Sequence, residues 1–436
     1  MKRRAFLKHT TLAGTVTAAL PAVAYRRILG ANERLNVAVA GLNSRGMAHV
    51  LAALEVDNME VTALCDVDSR TFDRYRQLLD QRGQPPATAY ADVRRLLDDR
   101  DLDVLTCATP DHWHAPMGIL AMQAGKDVYL EKPCSHNPAE GEMLVKVAKS
   151  TGRTLQIGNQ QRSAPTSREA VEDIREGIIG TPYYGKAWYS NTRGPIGAVR
   201  PTSVPDWLDW DLWQGPAPRR AYADPFVHYH WHWFWDYGTG EINNNGLHEM
   251  DICRWALGVE LPTRVTSSGG RFHYDDAWEF YDTQVASFEF PDNKMITWEG
   301  RSCSGMLHHD RGRGATIHGT EGSILLDRNA YFVYDLDRNL VKQVNERSFS
   351  ATTDTQGVGA LDVYHMRNFA DAIRHDQPLH SPIEEAHTST LLCHLGNMAQ
   401  RFGGTLEVDS ATGKPSSTAA MALWSREYAE GWAPKV

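Results

Sequence analysis

The turn GLNSRG at residues 41–46 is the first segment whose residue types and spacing suggest chemistry. It follows the apolar run 35–40 and precedes residues with helical spacing, and Asp66 lies 20 residues beyond it. Glycines in such a turn permit a tight reversal, and the N-terminus of the following helix stabilises a pyrophosphate. Asp66 would accept hydrogen bonds from adenosine ribose hydroxyls and repel a 2′-phosphate, which favours NAD over NADP. Asn43 replaces the middle glycine of the usual GxGxxG, so a purely structural turn is the alternative.

Two further polar segments follow apolar runs. TPDHWH at 109–114 comes after the run 103–108, and EKP at 131–133 comes after the run 127–130. Open α/β sheets bind ligands at the carboxyl ends of their parallel strands, so we expect both segments at the same site. The residues predicted to contact the cofactor are Gly41, Asn43, Ser44, Arg45, Gly46, Asp66, Thr109, Pro110, His114, Glu131, Lys132 and Gln160.

A third polar segment, GEINNNGLHEMD at 240–251, lies far downstream. Its pattern predicts a polar loop that leads into a helix, with His248 in the first turn. Asp251 follows three residues later, which places both side chains on one helix face.

An aromatic segment lies between these motifs. Trp207, Trp210 and Trp213 precede HYHWHWFW at 228–235. In an extended segment alternate residues share a face, so the three histidines would line up. They could form hydrogen bonds in a carbohydrate pocket, bind zinc, or pack structurally. Because no carboxylate or cysteine partner is identifiable, we favour the carbohydrate pocket and predict no metal site.

The elements that would position these residues follow two patterns. Up to Gly158, short runs apolar on both faces alternate with helical stretches near 47–55, 70–82, 113–124 and 138–151, which is typical of a doubly wound parallel α/β domain. Strands are predicted at 35–40, 60–65, 103–108 and 127–130. Downstream, strands near 263–274, 283–290, 294–300, 315–319, 322–327 and 331–335 with short connections predict a mostly antiparallel sheet. Helices near 361–375 and 384–402 close the fold. We place the domains at 33–158 and 159–436.

The N-terminus is predicted to be a targeting signal. KRRAFLK at 2–8 and the mildly apolar run 11–24, which ends in Ala-Val-Ala, resemble a twin-arginine export signal at residues 1–24, a plain basic N-terminus being the alternative. We therefore expect a periplasmic or otherwise exported protein. Elsewhere no apolar stretch approaches the roughly 20 residues of a membrane span.

Composition limits the function classes. The chain has 436 residues, 42% hydrophobic and 23% charged, and its formal charge of −9 argues against a nucleic-acid partner. Cys65, Cys107, Cys253 and Cys393 lie inside apolar runs, and none forms a CxxC pair. They are expected to be buried small hydrophobes.

Together, the glycine turn, the TPxxxH segment, the EKP tripeptide and the later GxH followed by an aspartate resemble the Gfo/Idh/MocA oxidoreductase family. The motifs occur in the family's order and cover nearly the whole mature chain. The resemblance implies a Rossmann domain followed by an open β-sheet domain with helices on one face, which often mediates homo-oligomerisation. It also implies NAD(P) chemistry on sugars, polyols or glycosides.

The resemblance also assigns roles. Lys132 and His248 would flank the reacting carbinol, and one of them must take the hydroxyl proton. A surface lysine and a core histidine are the structural alternatives. Asn244 stands where many members have an acid in DxGxH and cannot relay a proton, so Asp251 or Glu249 could substitute. The predicted catalytic residues are Lys132, His248, Asp251 and Asn244. The predicted substrate contacts are Trp207, His230, His232, Trp233, Asn244 and His248.

Three functions remain open. The first is an exported sugar oxidoreductase that retains its NAD(H), because the periplasm offers little free NAD. The second is a redox-cycling glycoside hydrolase, in which transient oxidation permits elimination and the ketone is then reduced again. It needs a second base, which His230, His232 or Tyr237 could supply. The third is a catalytically silent carbohydrate-binding protein. We favour the oxidoreductase because more of the family works that way.

Overall fold

The computed structural model describes residues 33–346 and 358–436. The predicted export signal at 1–24 lies outside these residues. The strands are β1 (Leu35–Ala40), β2 (Met59–Cys65), β3 (Thr88–Tyr90), β4 (Val104–Cys107), β5 (Asp127–Leu130), β6 (Leu155–Ile157), β7 (Pro182–Ser190), β8 (Arg264–Gly270), β9 (Thr283–Phe290), β10 (Lys294–Arg301), β11 (Arg313–Gly319), β12 (Gly322–Leu326), β13 (Ala330–Asp335), β14 (Leu340–Asn345) and β15 (Thr405–Glu407).

Helices connect and cover these strands. The α-helices are α1 (Gly46–Leu54), α2 (Phe72–Gln81), α3 (Val93–Leu96), α4 (Asp111–Gln123), α5 (Pro138–Thr151), α6 (Pro165–Arg175), α7 (Trp210–Gln214), α8 (Leu247–Leu257), α9 (Ala360–His375), α10 (Ile383–Arg401) and α11 (Thr418–Met421). Short 3-10 turns at Gln160–Ser163 and His230–Trp233 and a π-helical turn at Ile242–Gly246 lie near the site described below. Within the described residues no helix is both long and apolar enough to cross a bilayer.

The first sheet is parallel throughout, with the strand order β3-β2-β1-β4-β5-β6. Both of its faces are buried. Val37 and Val39 of β1 pack in a cluster with residues of α1 and α2, whereas Ala38 and Ala40 pack in a cluster with residues of α4 and α5. Helices therefore cover both faces, which confirms the predicted doubly wound domain. The strand order reverses between β1 and β4, where such sheets bind ligands.

The C-terminal helices return to the first sheet. Met366, Phe369 and Ala370 of α9 belong to the cluster that contains Val37 and Val39. Ile383 and Ala386, in the first turn of α10, belong to the cluster on the opposite face. The far end of the chain thus contributes to the core of the first domain.

The second sheet has nine strands in the order β14-β13-β12-β11-β7-β10-β9-β8-β15. Its neighbouring strands are antiparallel except β7 and β10, which confirms the expected mostly antiparallel sheet. Apolar residues of α8 and α10 pack on one face, against side chains such as Phe288, Ile296 and Trp298. The outward-pointing residues of β9 and β10, among them Val285 and Met295, are exposed or half-buried, so the opposite face is open.

Candidate active site

A cavity of about 520 Å³ lies where the carboxyl ends of β1, β2, β4 and β5 meet residues from the second sheet domain. This volume is within the range of small-molecule sites. The predicted cofactor contacts that line it are Gly41, Asn43, Ser44, Arg45, Asp66, Thr109, Pro110, His114, Glu131, Lys132 and Gln160. The other predicted contacts that line it are His232, Asn244 and His248. Those that lie outside its lining are Gly46, Trp207, His230, Trp233 and Asp251.

The glycine turn leaves the backbone exposed to the cavity. Gly41 has φ +85°, and a Cβ there would lie 2.5 Å from the backbone carbon of Ala108. Tyr75 donates a hydrogen bond to the carbonyl oxygen of Leu42 at 2.5 Å, which holds the turn in place. Only glycine satisfies both the conformation and the close approach, as a dinucleotide turn requires.

Asp66 follows β2 and lines the same cavity. Its carboxylate accepts hydrogen bonds from the backbone N–H of Leu42 at 2.5 Å and of Asp68 at 2.9 Å. Burial raises the pKa of Asp66 above its ordinary value. The acid is therefore fixed against the glycine turn, where an adenosine ribose would lie.

Glu131, at the end of β5, joins the cofactor side of the cavity. Arg45 donates to its Oε1 at 2.7 Å, Gln160 donates to the same oxygen at 2.7 Å, and His49 lies 3.2 Å away. Burial alone would raise the pKa of Glu131, but the charges of Arg45 and its other partners hold it well below the ordinary value. Arg45 also pairs with Asp362 of α9.

The TPDHWH segment is tied to the EKP turn by His114. One ring nitrogen lies 2.6 Å from the carbonyl oxygen of Pro133 and the other lies 2.8 Å from that of Thr109. The ends of β4 and β5 are thereby held together. Asp111, the first residue of α4, was missed by the sequence reasoning. It lines the cavity and accepts a hydrogen bond from Thr239 at 2.5 Å, and burial raises its pKa.

Lys132 joins the two domains. Its Nζ donates to the backbone carbonyl oxygen of Asn244 at 2.8 Å. Burial lowers the pKa of Lys132, although the charges of Glu131 and Asp111 oppose this shift. The Asn244 side chain points instead to Glu241, with Nδ2 at 3.4 Å from Oε1.

His248 is the second residue of α8, and a π-helical turn precedes it rather than the predicted polar loop. The imidazole lines the cavity. Burial, together with the positive charges of Arg328, Lys132 and Arg313, lowers the pKa of His248 well below its ordinary value. The side chain is therefore neutral at physiological pH and can accept a proton.

Asp251 has a different environment from the one we expected. Its carboxylate receives two hydrogen bonds from Arg162, at 2.7 and 2.8 Å, and one from Ser389 at 2.6 Å. All three side chains are buried. Glu249 also lies outside the cavity lining and accepts a hydrogen bond from Arg313 at 2.5 Å. Neither carboxylate is placed to relay a proton directly from the cavity.

The prediction that 228–235 is extended was wrong. A 3-10 turn at His230–Trp233 rotates successive side chains apart, so the three histidines do not share a face. His228 and His232 line the cavity, and His228 also lies 2.8 Å from Asp68, whereas His230 lies outside the lining. The cause is burial: the surrounding residues, including Phe226, Trp233 and Phe234, form an aromatic core.

Aromatic side chains nevertheless form one wall of the cavity, supplied by Tyr229, Trp231 and His232. The rings of Trp231 and His232 stack with centroids 3.6 Å apart. Trp233 stacks on Trp278 in the core, and Arg70 covers the ring of Trp207. Among the described residues no group of three or more His, Cys, Asp or Glu side chains is placed to hold a metal ion.

Basic residues of the second domain also line the cavity, and the sequence reasoning missed them. Arg193 follows β7, Arg313 begins β11, and Arg328 lies between β12 and β13. Burial and the charge of Arg313 lower the pKa of Arg328 to about 9. No local motif marks these residues, because they come from separate segments of the chain.

Comparison with known protein families shows to which family the chain belongs. Residues 35–159 match the Gfo/Idh/MocA model described as "Oxidoreductase family, NAD-binding Rossmann fold", and residues 181–427 match the model described as "Oxidoreductase family, C-terminal alpha/beta domain". The chain belongs to the Gfo/Idh/MocA oxidoreductase family. The predicted Rossmann fold and NAD cofactor are thereby confirmed, and this Gfo/Idh/MocA protein is an NAD-dependent oxidoreductase.

Curated relatives of this Gfo/Idh/MocA protein include glycosidases. A glycosyl hydrolase family 109 protein from Parabacteroides distasonis is 24% identical over 452 residues, which cover 93% of this chain and 95% of that protein. Another, from Shewanella pealeana, is 28% identical over 209 residues, 43% of this chain and 46% of the relative. The second match therefore spans less than half of the relative's length.

Solved structures share the fold of this Gfo/Idh/MocA protein. An aldose-aldose oxidoreductase from Caulobacter crescentus, complexed with glycerol, has a TM-score of 0.65 and 18% identity, and the match covers 86% of this chain and 100% of that one. A levoglucosan dehydrogenase in complex with NADH and levoglucosan has a TM-score of 0.66 and 18% identity, over 86% and 99% of the two chains.

Proposed function

We propose that this protein transfers a hydride between NAD and a ring carbinol of a sugar, polyol or glycoside, and that it keeps its NAD(H) bound between turnovers. The observation that carries this proposal is the placement of Lys132 and a neutral His248 in one cavity with the glycine turn and Asp66. Such a cavity holds the two parts that a dehydrogenase needs, a dinucleotide cradle and a proton acceptor.

The residues present fit NAD. Gly41, at φ +85°, lets the turn pack against the end of β4 while its backbone lines the cavity, where a pyrophosphate would bind, and Asp66 faces the position of the ribose. When bound, NAD supplies the hydride acceptor and donor. Asp66 repels a 2′-phosphate, so NAD is preferred to NADP.

His248 is the residue that takes the hydroxyl proton in this proposal. Its imidazole is neutral, whereas the Lys132 ammonium already donates one N–H to the carbonyl oxygen of Asn244. Lys132 has two N–H groups left to hold the carbinol oxygen and to stabilise the negative charge that develops on it. The Trp231 and His232 wall supplies a flat surface for the sugar ring.

A redox-cycling glycoside hydrolase is the second candidate, and His232 favours it. The Nδ1 atom of His232 lies 2.5 Å from the carbonyl oxygen of Tyr229, so Nδ1 carries the proton and Nε2 keeps its lone pair. Burial lowers the pKa of His232 well below its ordinary value. Of the three second bases considered, His230, His232 and Tyr237, His232 lines the cavity. Two curated relatives are named glycosyl hydrolase family 109 proteins, which also supports the glycosidase.

The first experiment quantifies the cofactor. The full chain is expressed with its N-terminus, purified and denatured, and the released NAD(P)(H) is measured by chromatography. About one NAD(H) per chain is expected for a retained cofactor. Protein that is empty and does not bind added NAD would overturn both enzyme proposals and favour a silent carbohydrate-binding protein.

The second experiment separates the two enzymes. Sugar pairs and chromogenic glycosides are tested side by side with wild type and His232→Asn. An oxidoreductase converts one sugar while reducing another and leaves the glycosides intact. A glycosidase releases the aglycone without net NADH, and His232→Asn abolishes that release while the bound cofactor can still be reduced.

Export and assembly are further proposals. The basic and apolar residues at 1–24 support export by the twin-arginine route, and a retained cofactor suits a compartment with little free NAD. The open face of the second sheet, which exposes Val285 and Met295, supports homo-oligomerisation through that face. Periplasmic fractionation tests the first proposal, and sedimentation of wild type against Val285→Lys tests the second.

A further inference from the structure

Residues of the second domain line the adenosine end of the cavity. Asp66 and Val67, which follow β2, form one side of this end. Leu212, Trp213 and His228 line the same cavity, although they belong to the chain between β7 and β8. Leu212 and Trp213 are part of α7, so this short helix faces the position of the adenosine ribose beside Asp66. The wall of the adenosine pocket is therefore shared between the two domains.

The chain just before α7 pairs with the loop after β2. Ser69 donates its backbone N–H to the carbonyl oxygen of Trp207 at 2.9 Å, and Asp209 donates its backbone N–H to the carbonyl oxygen of Val67 at 3.1 Å. The two segments run antiparallel. Main-chain bonds thus join the second domain to the loop that begins directly after Asp66.

Four side chains close the same junction, and we call them the clasp: Asp68, Arg70, Trp207 and His228. The buried carboxylate of Asp68 accepts two hydrogen bonds from the Arg70 guanidinium, at 2.9 and 2.7 Å, and Nε2 of His228 lies 2.8 Å from it. The Arg70 guanidinium lies 3.3 Å from the ring centroid of Trp207, a cation–π contact. Because the backbone N–H of Asp68 donates to the Asp66 carboxylate, the clasp is linked to the acid that faces the ribose.

The far end of α7 is anchored on α4. The carbonyl oxygen of Trp213 accepts a hydrogen bond from Nε1 of Trp113 at 2.9 Å, and Nε2 of His112 lies 3.0 Å from the same oxygen. The clasp follows β2, whereas α4 follows β4. Residues 207–213, which we call the strap, therefore span the position between β1 and β4 at which the strand order reverses.

We propose that Leu212, Trp213 and His228 bind the adenosine half of NAD, and that the clasp opens before NAD is released. Apolar and aromatic side chains suit the flat adenine ring. The clasp is the end of the strap that opens, since the Arg70 side chain is 53% exposed, whereas Trp113 and Trp213 at the other end are buried. The inference rests on the proposed function, because it names the residues by which the site retains its NAD(H).

The first test measures the release of NADH from the full chain. Protein loaded with NADH is mixed with an excess of NAD, and the loss of energy transfer from tryptophan to bound NADH gives the rate. Arg70→Gln breaks the clasp at a residue that does not line the cavity, so any effect acts through the strap. His228→Ala removes the imidazole, and His228→Gln keeps an N–H donor. Arg76→Gln removes an exposed cation of α2 and serves as the matched control.

We expect Arg70→Gln and His228→Ala to release NADH about tenfold or more faster than wild type, His228→Gln to have a smaller effect, and Arg76→Gln to have none. A release rate in Arg70→Gln equal to that of wild type overturns the inference.

The second test separates the two halves of the cofactor. The affinities for ADP-ribose and for nicotinamide mononucleotide are measured by displacement of bound NADH. Arg70→Gln and His228→Ala should weaken the binding of ADP-ribose about tenfold and leave the binding of nicotinamide mononucleotide unchanged. An equal loss of affinity for both halves would mean that the clasp only supports the fold, and it overturns the inference.

Hydrogen exchange of wild type keeps the test independent of whether the variants fold. ADP-ribose should slow amide exchange in the strap, whereas nicotinamide mononucleotide should not. Equal exchange in the strap with and without ADP-ribose overturns the inference.

Sugar turnover separates this inference from the proposed function. Oxidation of sugars by a wild type that releases NADH as fast as Arg70→Gln would retain the oxidoreductase and overturn the strap. Slow release that depends on the clasp, without conversion of any sugar or glycoside, would retain the strap and overturn the oxidoreductase.

Discussion

The Nζ atom of Lys132 lies 2.8 Å from the backbone carbonyl oxygen of Asn244. Lys132 lies two residues after the end of β5 in the parallel sheet, and Asn244 belongs to the π-helical turn before α8. The bond fixes the ammonium beside His248 and uses a main-chain oxygen, so the exchange of an acid for asparagine at position 244 does not remove it. Lys132 and His248 are therefore positioned by the fold, independently of the side chain at 244.

Replacing Lys132 with Met should reduce kcat by about 10²–10⁴-fold, because the variant keeps the shape of the side chain and loses the ammonium that holds the carbinol oxygen. NAD content per chain should stay near that of wild type. The matched control is Lys149→Met on the exposed face of α5. Unchanged turnover in Lys132→Met, with a full complement of cofactor, would contradict the role.

The pH dependence of kcat/KM should report His248. Only the neutral imidazole accepts a proton, and its pKa is well below 6.5, so activity should persist as the pH falls through 6.5 and decline only at more acidic values. His248→Gln should lose most activity, and its remaining activity should not show this decline at acidic pH. A limb centred near pH 6.5 that is unchanged in His248→Gln would assign the titration to another group.

Stability should decrease as the pH falls from 7 to 5. The pKa of His365 is lowered to about 4 and that of His112 to about 3 by burial, while the unfolded chain protonates both near 6.5. Because the unfolded state then binds more protons, the free energy of unfolding rises with pH over this range and levels off above 6.5. Urea unfolding at pH 5, 6 and 7 checks this, and His365→Asn should have a smaller slope. A midpoint that does not change with pH would refute the argument.

Replacing Asp66 with Asn should weaken NAD binding and reduce the preference for NAD over NADP, by about tenfold each, because the repulsion of the 2′-phosphate is lost. Fluorescence titration of the stripped protein with NADH and NADPH measures both affinities. Asp73→Asn, an exposed acid of α2, is the control. Equal loss of affinity for both cofactors would mean that Asp66 only supports the turn.

Asp251→Ala should lower the free energy of unfolding by about 3–5 kcal/mol, because it leaves the buried Arg162 with only the more distant carboxylate of Glu385, at 3.4 Å. The double variant Arg162→Met, Asp251→Leu should recover much of this loss. The folded fraction of Asp251→Asn should keep the wild-type pH profile. Wild-type stability combined with a shifted pH profile would instead support the proton relay that the sequence suggested.

The sequence predicts those features that depend on neighbouring residues or on a periodic hydrophobic pattern. The turn at 41–46, Asp66 and the EKP tripeptide are adjacent to apolar runs that had to be buried strands, so their convergence follows from the strand ends alone. The sequence reasoning predicted no strand between residues 130 and 263 and therefore missed β7, whose segment PYYGKAWYS begins with proline and contains a glycine among aromatic residues. It forms in the centre of the sheet because α8 packs on it so closely that a Cβ at Gly185 would lie 3.0 Å from that of Cys253.

Long-range features could not be predicted in this way. Arg313 and Arg328 reach His248 only because β11 and β12 pair beside β7, which is a property of the sheet order. The alternation of histidines at 228–232 favours an extended segment, but burial of Phe226, Trp233 and Phe234 in one aromatic core imposes a 3-10 turn. The prediction for Asp251 used only its position on one face of the helix. It could not include Arg162, whose guanidinium pairs with the Asp251 carboxylate.

The contact between Arg45 and Asp362 has a consequence for synthesis. Arg45 belongs to the cofactor turn, and Asp362 lies on α9, more than 300 residues later in the chain. On the ribosome the parallel sheet emerges long before the helix that covers Val37 and Val39. We expect nascent chains that stop short of α9 to bind NAD poorly, and stalled chains of increasing length would show affinity only once α9 has emerged. NAD binding by a nascent chain would then show that translation has reached the C-terminal helices.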